Sequence, residues 1–174
     1  VRQAYPRAQM LELRRTLHAF GQATPPSFHK ITGRCPIFHT INDDVDRYRV
    51  RMRVHSYHFF SWNREPVDLF AIFKNSVILF ETLSEHDPET IINQTPDDDL
   101  VVRLQVHHYP PGGGHTQIHT DPTIFVKVAM VVFLSKQGED YESGGLYFFD
   151  RSGNKYYPER ALDLGIGDIV VFYP

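Results

Sequence analysis

A chain of 174 residues, 41% hydrophobic and 13% aromatic, is long and apolar enough to bury one good core, so a single folded domain is expected. Its net charge of -3 leaves no basic footprint for nucleic acid or an anionic membrane surface, and its one cysteine, Cys35, excludes an internal disulfide framework. No segment is long and apolar enough to span a bilayer, and no signal or transit peptide is visible, so a cytoplasmic protein without membrane or nucleic-acid partners is expected.

From the N-terminus, Met10, Leu13, Leu17 and Phe20 recur at the three-and-four spacing of an amphipathic helix over Arg7 to Phe20, with Gly21 as its stop. Pro25-Pro26 marks a loop. From Tyr48 the pattern alternates: Val50, Met52 and Val54 fall on one side and Arg49, Arg51 and Arg53 on the other, which predicts a strand with one face in the core. The arginines either meet an anionic substrate or form a solvated outer face that discourages edge pairing. His55 to Trp62 mixes aromatic bodies with polar tips, which suits a pocket wall or ordinary packing.

A second helix is expected from Glu65-Pro66, with Asp68 in its first turn and apolar residues from Leu69 to Leu83; a buried strand over Ser76 to Glu81 is the alternative. The polar, Pro-broken connection from His86 to Asp99 ends in an acid run that reads as solvated loop.

The stretch Leu100 to Asp121 predicts an apolar strand, a Pro/Gly turn and a short second strand ending in His119-Thr120-Asp121. On the first strand Leu100, Val102, Leu104, Val106 and His108 share one face, and Val101, Arg103, Gln105, His107 and Tyr109 the other. Side chains two apart on a strand project together, so His119 and Asp121 could share one metal ion. One nitrogen donor, one hard oxygen donor and no thiolate disfavour structural zinc and fit the two-His, one-carboxylate arrangement that holds non-haem Fe(II). A surface pair or a hydrogen-bonded structural couple is the competing reading.

Farther on, Ile124 to Leu134 predicts a β-branched strand with Lys127, Ala129, Val131 and Phe133 on one face. A polar loop then leads through Gly144-Gly145 to a strand over Leu146 to Phe149. Asp150 to Asn154 reads as a hairpin turn into Lys155 to Pro158, and Leu164 to Asp168 as a turn feeding a strand over Ile169 to Tyr173.

Taken in order, Gln105 to Asp121, the strand Val126 to Ser135, Ser143-Gly-Gly-Leu-Tyr-Phe-Phe149 and Gly167-Asp-Ile-Val-Val-Phe172 resemble the prolyl 4-hydroxylase-like branch of the Fe(II)- and 2-oxoglutarate-dependent dioxygenases. The resemblance covers about residues 100 to 174. It implies a mainly β (α+β) fold, a double-stranded β-helix (jelly-roll, cupin-like) barrel with flanking helices, in which 1–99 support a barrel core at 100–174 that lacks its last strands. His119 and Asp121 are then catalytic Fe(II) ligands, and Tyr109, ten positions ahead of His119, hydrogen-bonds the 2-oxoglutarate. Lys127 and Phe133 are further candidates to line the cosubstrate, with a rim lysine reaching solvent as the alternative for Lys127.

If Tyr109 faces inward, His107, Gln105 and Arg103 do so as well, either contacting a polar substrate or forming a wet network that holds the iron ligands. The implied reaction hydroxylates an unactivated C–H bond of a small polar or amino-acid-type substrate, consuming O2 and 2-oxoglutarate and releasing succinate and CO2. The resemblance also implies a second iron-binding His and a basic residue for the far carboxylate of 2-oxoglutarate after the last strand. Neither is among the 174 residues, and none of the ten histidines follows His119. A chain continuing past Pro174 is one expectation. The alternatives are a prolyl-type hydroxylase acting on a protein or peptide, and a catalytically inactive cupin-like binding module.

Overall fold

The computed structural model describes residues 1–43, 50–97, 101–121 and 127–173. Tyr48, Arg49, Asp98, Asp99, Leu100 and Ile124 to Val126, on which parts of the expected strands and acid loop fall, lie outside the described residues. The elements in chain order are α1 (Arg7–Ala23), β1 (Phe38–Asp43), β2 (Met52–Phe60), α2 (Leu69–Ile72), α3 (Lys74–Leu83), α4 (Pro88–Ile92), β3 (Arg103–His108), β4 (His115–Thr116), β5 (Ala129–Val132), β6 (Phe148–Phe149), β7 (Lys155–Tyr156), α5 (Pro158–Ala161) and β8 (Ile169–Phe172). The architecture is α+β with antiparallel sheets; no closed barrel forms among the described residues. Among them no helix is long and apolar enough to cross a membrane.

The chain divides into two compact units, one of Thr16–Val128 and one of Val1–Arg15 with Ala129–Tyr173. The first is built around β2. Its one edge pairs with β1 from Phe38↔His58 to Asp43↔Arg53. Its other edge pairs with β3 from His55↔His108 to Phe60↔Arg103, and then with β4 through Met52↔Thr116 and Arg53↔His115.

Because β3 and β4 both run antiparallel to β2 along one edge, the Pro/Gly segment between them does not reverse the chain. Tyr109 to Gly114 is looped out, and the strand resumes beyond it. Gly114 is glycine because a Cβ there would lie 2.7 Å from the Pro110 carbonyl oxygen and 2.8 Å from the Tyr109 Cβ. The resumed strand is shorter than its sequence suggests: β4 ends at Thr116, and the Arg51 carbonyl accepts one more bond from the Gln117 amide (2.8 Å). His119 and Asp121 therefore lie past the strand rather than on it.

Ser56 to Phe60 of the central strand are all buried. On one face of the sheet the C-terminal part of α1 packs Phe20 against Tyr57 (5.8 Å between ring centroids) and Phe59 (5.7 Å). Gly21, expected as the helix stop, lies inside α1, which runs on to Ala23; it is small because the Tyr57 hydroxyl would stand 2.2 Å from a Cβ there. Phe38 and Phe60 pack with Cys35, and Trp62 donates its indole N–H to the Cys35 carbonyl (2.9 Å). Phe70, Val77 and Ile91 from the short helices pack against Val102 and Leu104, on the apolar side of β3 and the residues leading into it.

The helical segment begins later than its proline suggests. Asp68 is the N-cap of α2, its carboxylate accepting the Ala71 amide (2.9 Å), so it precedes the first turn instead of lying within it. Ser76 to Glu81 belong to α3, not to a strand.

In the second unit, β5 pairs with β8 from Ala129↔Phe172 to Val132↔Ile169, and β6 with β7 across a turn whose Asp150 carboxylate accepts the Ser152 and Asn154 amides (2.8 Å each). The expected strand over Ile124 to Leu134 is narrower among the described residues, spanning Ala129–Val132. Buried Glu159 pins the Gly144-Gly145 segment by accepting the Tyr141 hydroxyl (2.5 Å) and the Leu146 amide (2.6 Å).

Candidate functional site

Register decides which side chains share a face. Opposite residues in an antiparallel pair point the same way, so Arg103, Gln105 and His107 of β3 share a face with Phe60, His58 and Ser56 of β2 and with Phe38 and Thr40 of β1. Burial follows the period expected from sequence: Arg103, Gln105, His107 and Tyr109 are exposed, while Leu104, Val106 and His108 are half-buried.

Tyr109 leads into the looped segment, and its hydroxyl meets the Thr116 Oγ1 at 3.0 Å across the neck of the loop. Its ring stands edge-on to that of His107, with centroids 6.1 Å apart. His107 is exposed yet surrounded closely enough that burial lowers its pKa, with the charges of Arg103 and His119 acting in the same direction.

The His119 and Asp121 side chains do meet. His119 Nδ1 lies 2.8 Å from the Gln117 carbonyl oxygen, and a carbonyl only accepts, so Nδ1 carries the proton. In the neutral ring Nε2 then holds a lone pair, and it faces Asp121 Oδ1 at 3.4 Å. Two electron-rich atoms at that separation need a cation between them, either a second ring proton or a metal ion. Both side chains are partly exposed, 36% and 47%, so an ion could reach them from solvent. Among the described residues no third His, Cys, Asp or Glu joins them in a metal-binding group.

The far end of β3 is organised by His58, for which the sequence predicts only a polar tip among aromatic residues. Arg103 donates from its guanidinium to His58 Nδ1 (3.2 Å), so the imidazole proton sits on Nε2 and is donated to Thr40 Oγ1 (3.2 Å). The His58 ring is stacked on Phe38 with centroids 4.2 Å apart and planes 13° off parallel. Burial first, then the charges of Arg103, His107 and His39, lower its pKa to about 3, so it is neutral at physiological pH. Ser56 Oγ, on the same face, is buried without a hydrogen-bond partner.

Two other candidates stand elsewhere. Lys127 forms an ion pair with Glu85, both side chains largely exposed, in the manner of a rim lysine. Phe133 is buried in the second unit, its amide bonded to the Asp168 carbonyl (3.0 Å). Of the arginine row, Arg49 lies outside the described residues, Arg51 is exposed, and Arg53, within β2, pairs with Asp43 at 3.2 Å.

The opposite face carries a histidine cluster that was not foreseen. His39 Nδ1 donates to the Thr24 carbonyl (3.0 Å), which leaves its Nε2 to accept from His55 Nδ1 (3.1 Å). His55 adjoins His108 (5.6 Å between centroids), and His108 adjoins His18 of α1 (5.7 Å). Period two in β2 separates His55 from His58, but His39 could be placed only once β1 was known. Comparison with protein-family models, with curated proteins and with solved structures finds no match.

Proposed function

We propose that this chain is an Fe(II)- and 2-oxoglutarate-dependent oxygenase that hydroxylates a C–H bond of a small polar or amino-acid-type substrate on a jelly-roll framework to which β1–β4 belong. The observation that carries this reading is His119 Nε2 facing Asp121 Oδ1 at 3.4 Å, with the other ring nitrogen fixed by the Gln117 carbonyl. Metal-bound histidines take this form, the outer N–H anchored to a carbonyl and the inner lone pair directed at the ion.

The residues fit an iron ion in donor type, since one imidazole and one carboxylate with no thiolate suit Fe(II). His119 and Asp121 would hold the metal, which supplies one-electron oxidative chemistry that no side chain here possesses. Either hydroxyl of the Tyr109–Thr116 pair can donate; with Thr116 as the donor, the phenolic proton would be left for a carboxylate of the cosubstrate. Gln105 and His107 line the approach from the open face of β3.

A cupin-like binding module without turnover is the second reading, favoured by the count of two donors among the described residues. Titration with Mn(II), followed by its electron paramagnetic resonance signal, separates the possibilities when paired with Fe(II)-dependent succinate formation over a panel of free amino acids and peptides. One bound Mn(II), weakened at least tenfold in His119→Ala and in Asp121→Ala, is expected together with succinate. Binding without succinate selects the module, and absence of Mn(II) binding refutes both.

A further inference from the structure

We infer that Arg103 anchors a carboxylate of the substrate, on the strip of β3 that it shares with Gln105 and His107. Arg2, Arg7, Arg14, Arg15, Arg34, Arg53 and Arg64 each meet an aspartate or glutamate. Arg103 meets none among the described residues: its side-chain hydrogen bond goes to the neutral His58 Nδ1 at 3.2 Å. That contact uses one of the five N–H groups of a guanidinium and orients the fork without cancelling its charge.

The environment makes the missing partner matter. Burial lowers the Arg103 pKa, so its charged form is held at some cost in solvation, the situation a bound anion relieves. The imidazoles that share its face, His58 of β2 and His107 of β3 itself, are both biased to the neutral state by burial. Among the described residues the face therefore offers a single fixed cation, which matches a planar monoanion better than a phosphate.

The cosubstrate is not this anion if Tyr109 binds it. Arg103 and Tyr109 are six residues apart, roughly 20 Å along an extended strand, and both side chains lean toward its C-terminal end, which keeps them apart. Arg103 reaches across to His58, which is in register with Gln105, while the Tyr109 hydroxyl is tied forward to Thr116. A five-carbon diacid does not bridge them. Naming the anion as the substrate's carboxylate rests on the oxygenase reading above; the existence of the anion site does not.

The test is a titration of the metal-free protein with sodium propionate at constant ionic strength, following the histidine ring nitrogens by NMR. Propionamide and inorganic phosphate serve as the neutral and the competing anionic probes. The expected result is a saturable shift of the His58 ring signals with propionate, at least tenfold weaker with either other probe, lost in Arg103→Gln and weakened but retained in Arg103→Lys. Should Arg103→Gln fail to fold, the comparison of probes on the native protein and on Arg103→Lys still decides. No saturable shift with propionate, an equal response to propionamide, tighter binding of phosphate, or an unchanged response in a folded Arg103→Gln each overturns the inference. Because no iron or 2-oxoglutarate is present, a protein that binds propionate but forms no succinate loses the oxygenase reading and keeps the anion site. One that forms succinate but ignores propionate does the reverse.

Discussion

Replacing His58 with glutamine while lowering the pH from 7.5 to 5 isolates the contribution of one buried imidazole to the stability of the sheet. The ring is 5% exposed, and burial, with the Arg103, His107 and His39 charges, moves its pKa from 6.5 to about 3. Below pH 6.5 the unfolded chain takes up a proton that the native state refuses until about pH 3, so the unfolded state binds more protons throughout that window. Stability from this group is therefore complete above the unfolded pKa and is lost as the pH falls towards the folded one. The loss is about 1.4 kcal/mol per pH unit, or about 2 kcal/mol by pH 5. Glutamine does not titrate, yet it can accept from Arg103 and donate to Thr40. Urea unfolding at a series of pH values should show the native chain losing about 2 kcal/mol more than His58→Gln between pH 7.5 and 5. His55, His107 and His108, whose pKa values burial also lowers, add to the acid loss of both proteins and drop out of the difference. Curves that stay parallel would show that His58 is not held neutral by its surroundings.

Gly114→Ala drives a Cβ against the Pro110 carbonyl oxygen (2.7 Å) and the Tyr109 Cβ (2.8 Å) and should destabilise the chain by about 1–3 kcal/mol. A thermal melt within a degree of the native one would mean that the loop neck is not closed as described. Glu159→Gln replaces an oxygen that accepts from the Tyr141 hydroxyl or the Leu146 amide with a donor, at an expected cost of about 1.5–3 kcal/mol. The Tyr141 phenol, whose pKa is pushed up by burial and by Glu159, should titrate at lower pH in the variant, as followed by ultraviolet absorbance. No downward movement would remove the carboxylate from its role.

Much of the local structure was legible because it is set by period. Met10, Leu13 and Leu17 read as a helical stripe and are buried in α1, and the exposure of β3 alternates residue by residue. What escaped the sequence depends on partners distant in the chain. Phe38 to Asp43 shows no clean apolar alternation, since buried His39 and Phe38 lie on opposite faces; its strand exists because β2 offers it an edge. The Pro/Gly run carries every residue signal of a chain reversal, but pairing with β2 on both sides of it keeps the direction unchanged. His119 and Asp121 were found by their spacing, though irregular backbone beyond β4, not strand geometry, brings them together. That Arg103 meets no carboxylate among the described residues is a tertiary property that no spacing encodes.

β2 places one histidine on each side of the sheet and, through burial, holds both in the neutral form by different means. Half-buried His55 belongs to a relay through His39 that ends at the Thr24 carbonyl, with its ring beside those of His39 and His108. His58 is enclosed between the Phe38 ring and the Arg103 guanidinium. On the first face His39 and His55 are hydrogen-bonded to each other, and His108 Nδ1 lies 3.4 Å from the Tyr57 hydroxyl. On the second, the imidazole satisfies a cation's geometry but not its charge, and Ser56 Oγ remains unpaired beneath. Satisfied polar groups rigidify a structure, whereas unsatisfied ones retain free energy that a bound molecule can release. That asymmetry, rather than the number of polar residues on either side, is what favours the face of Arg103, Gln105 and His107 for the proposed site.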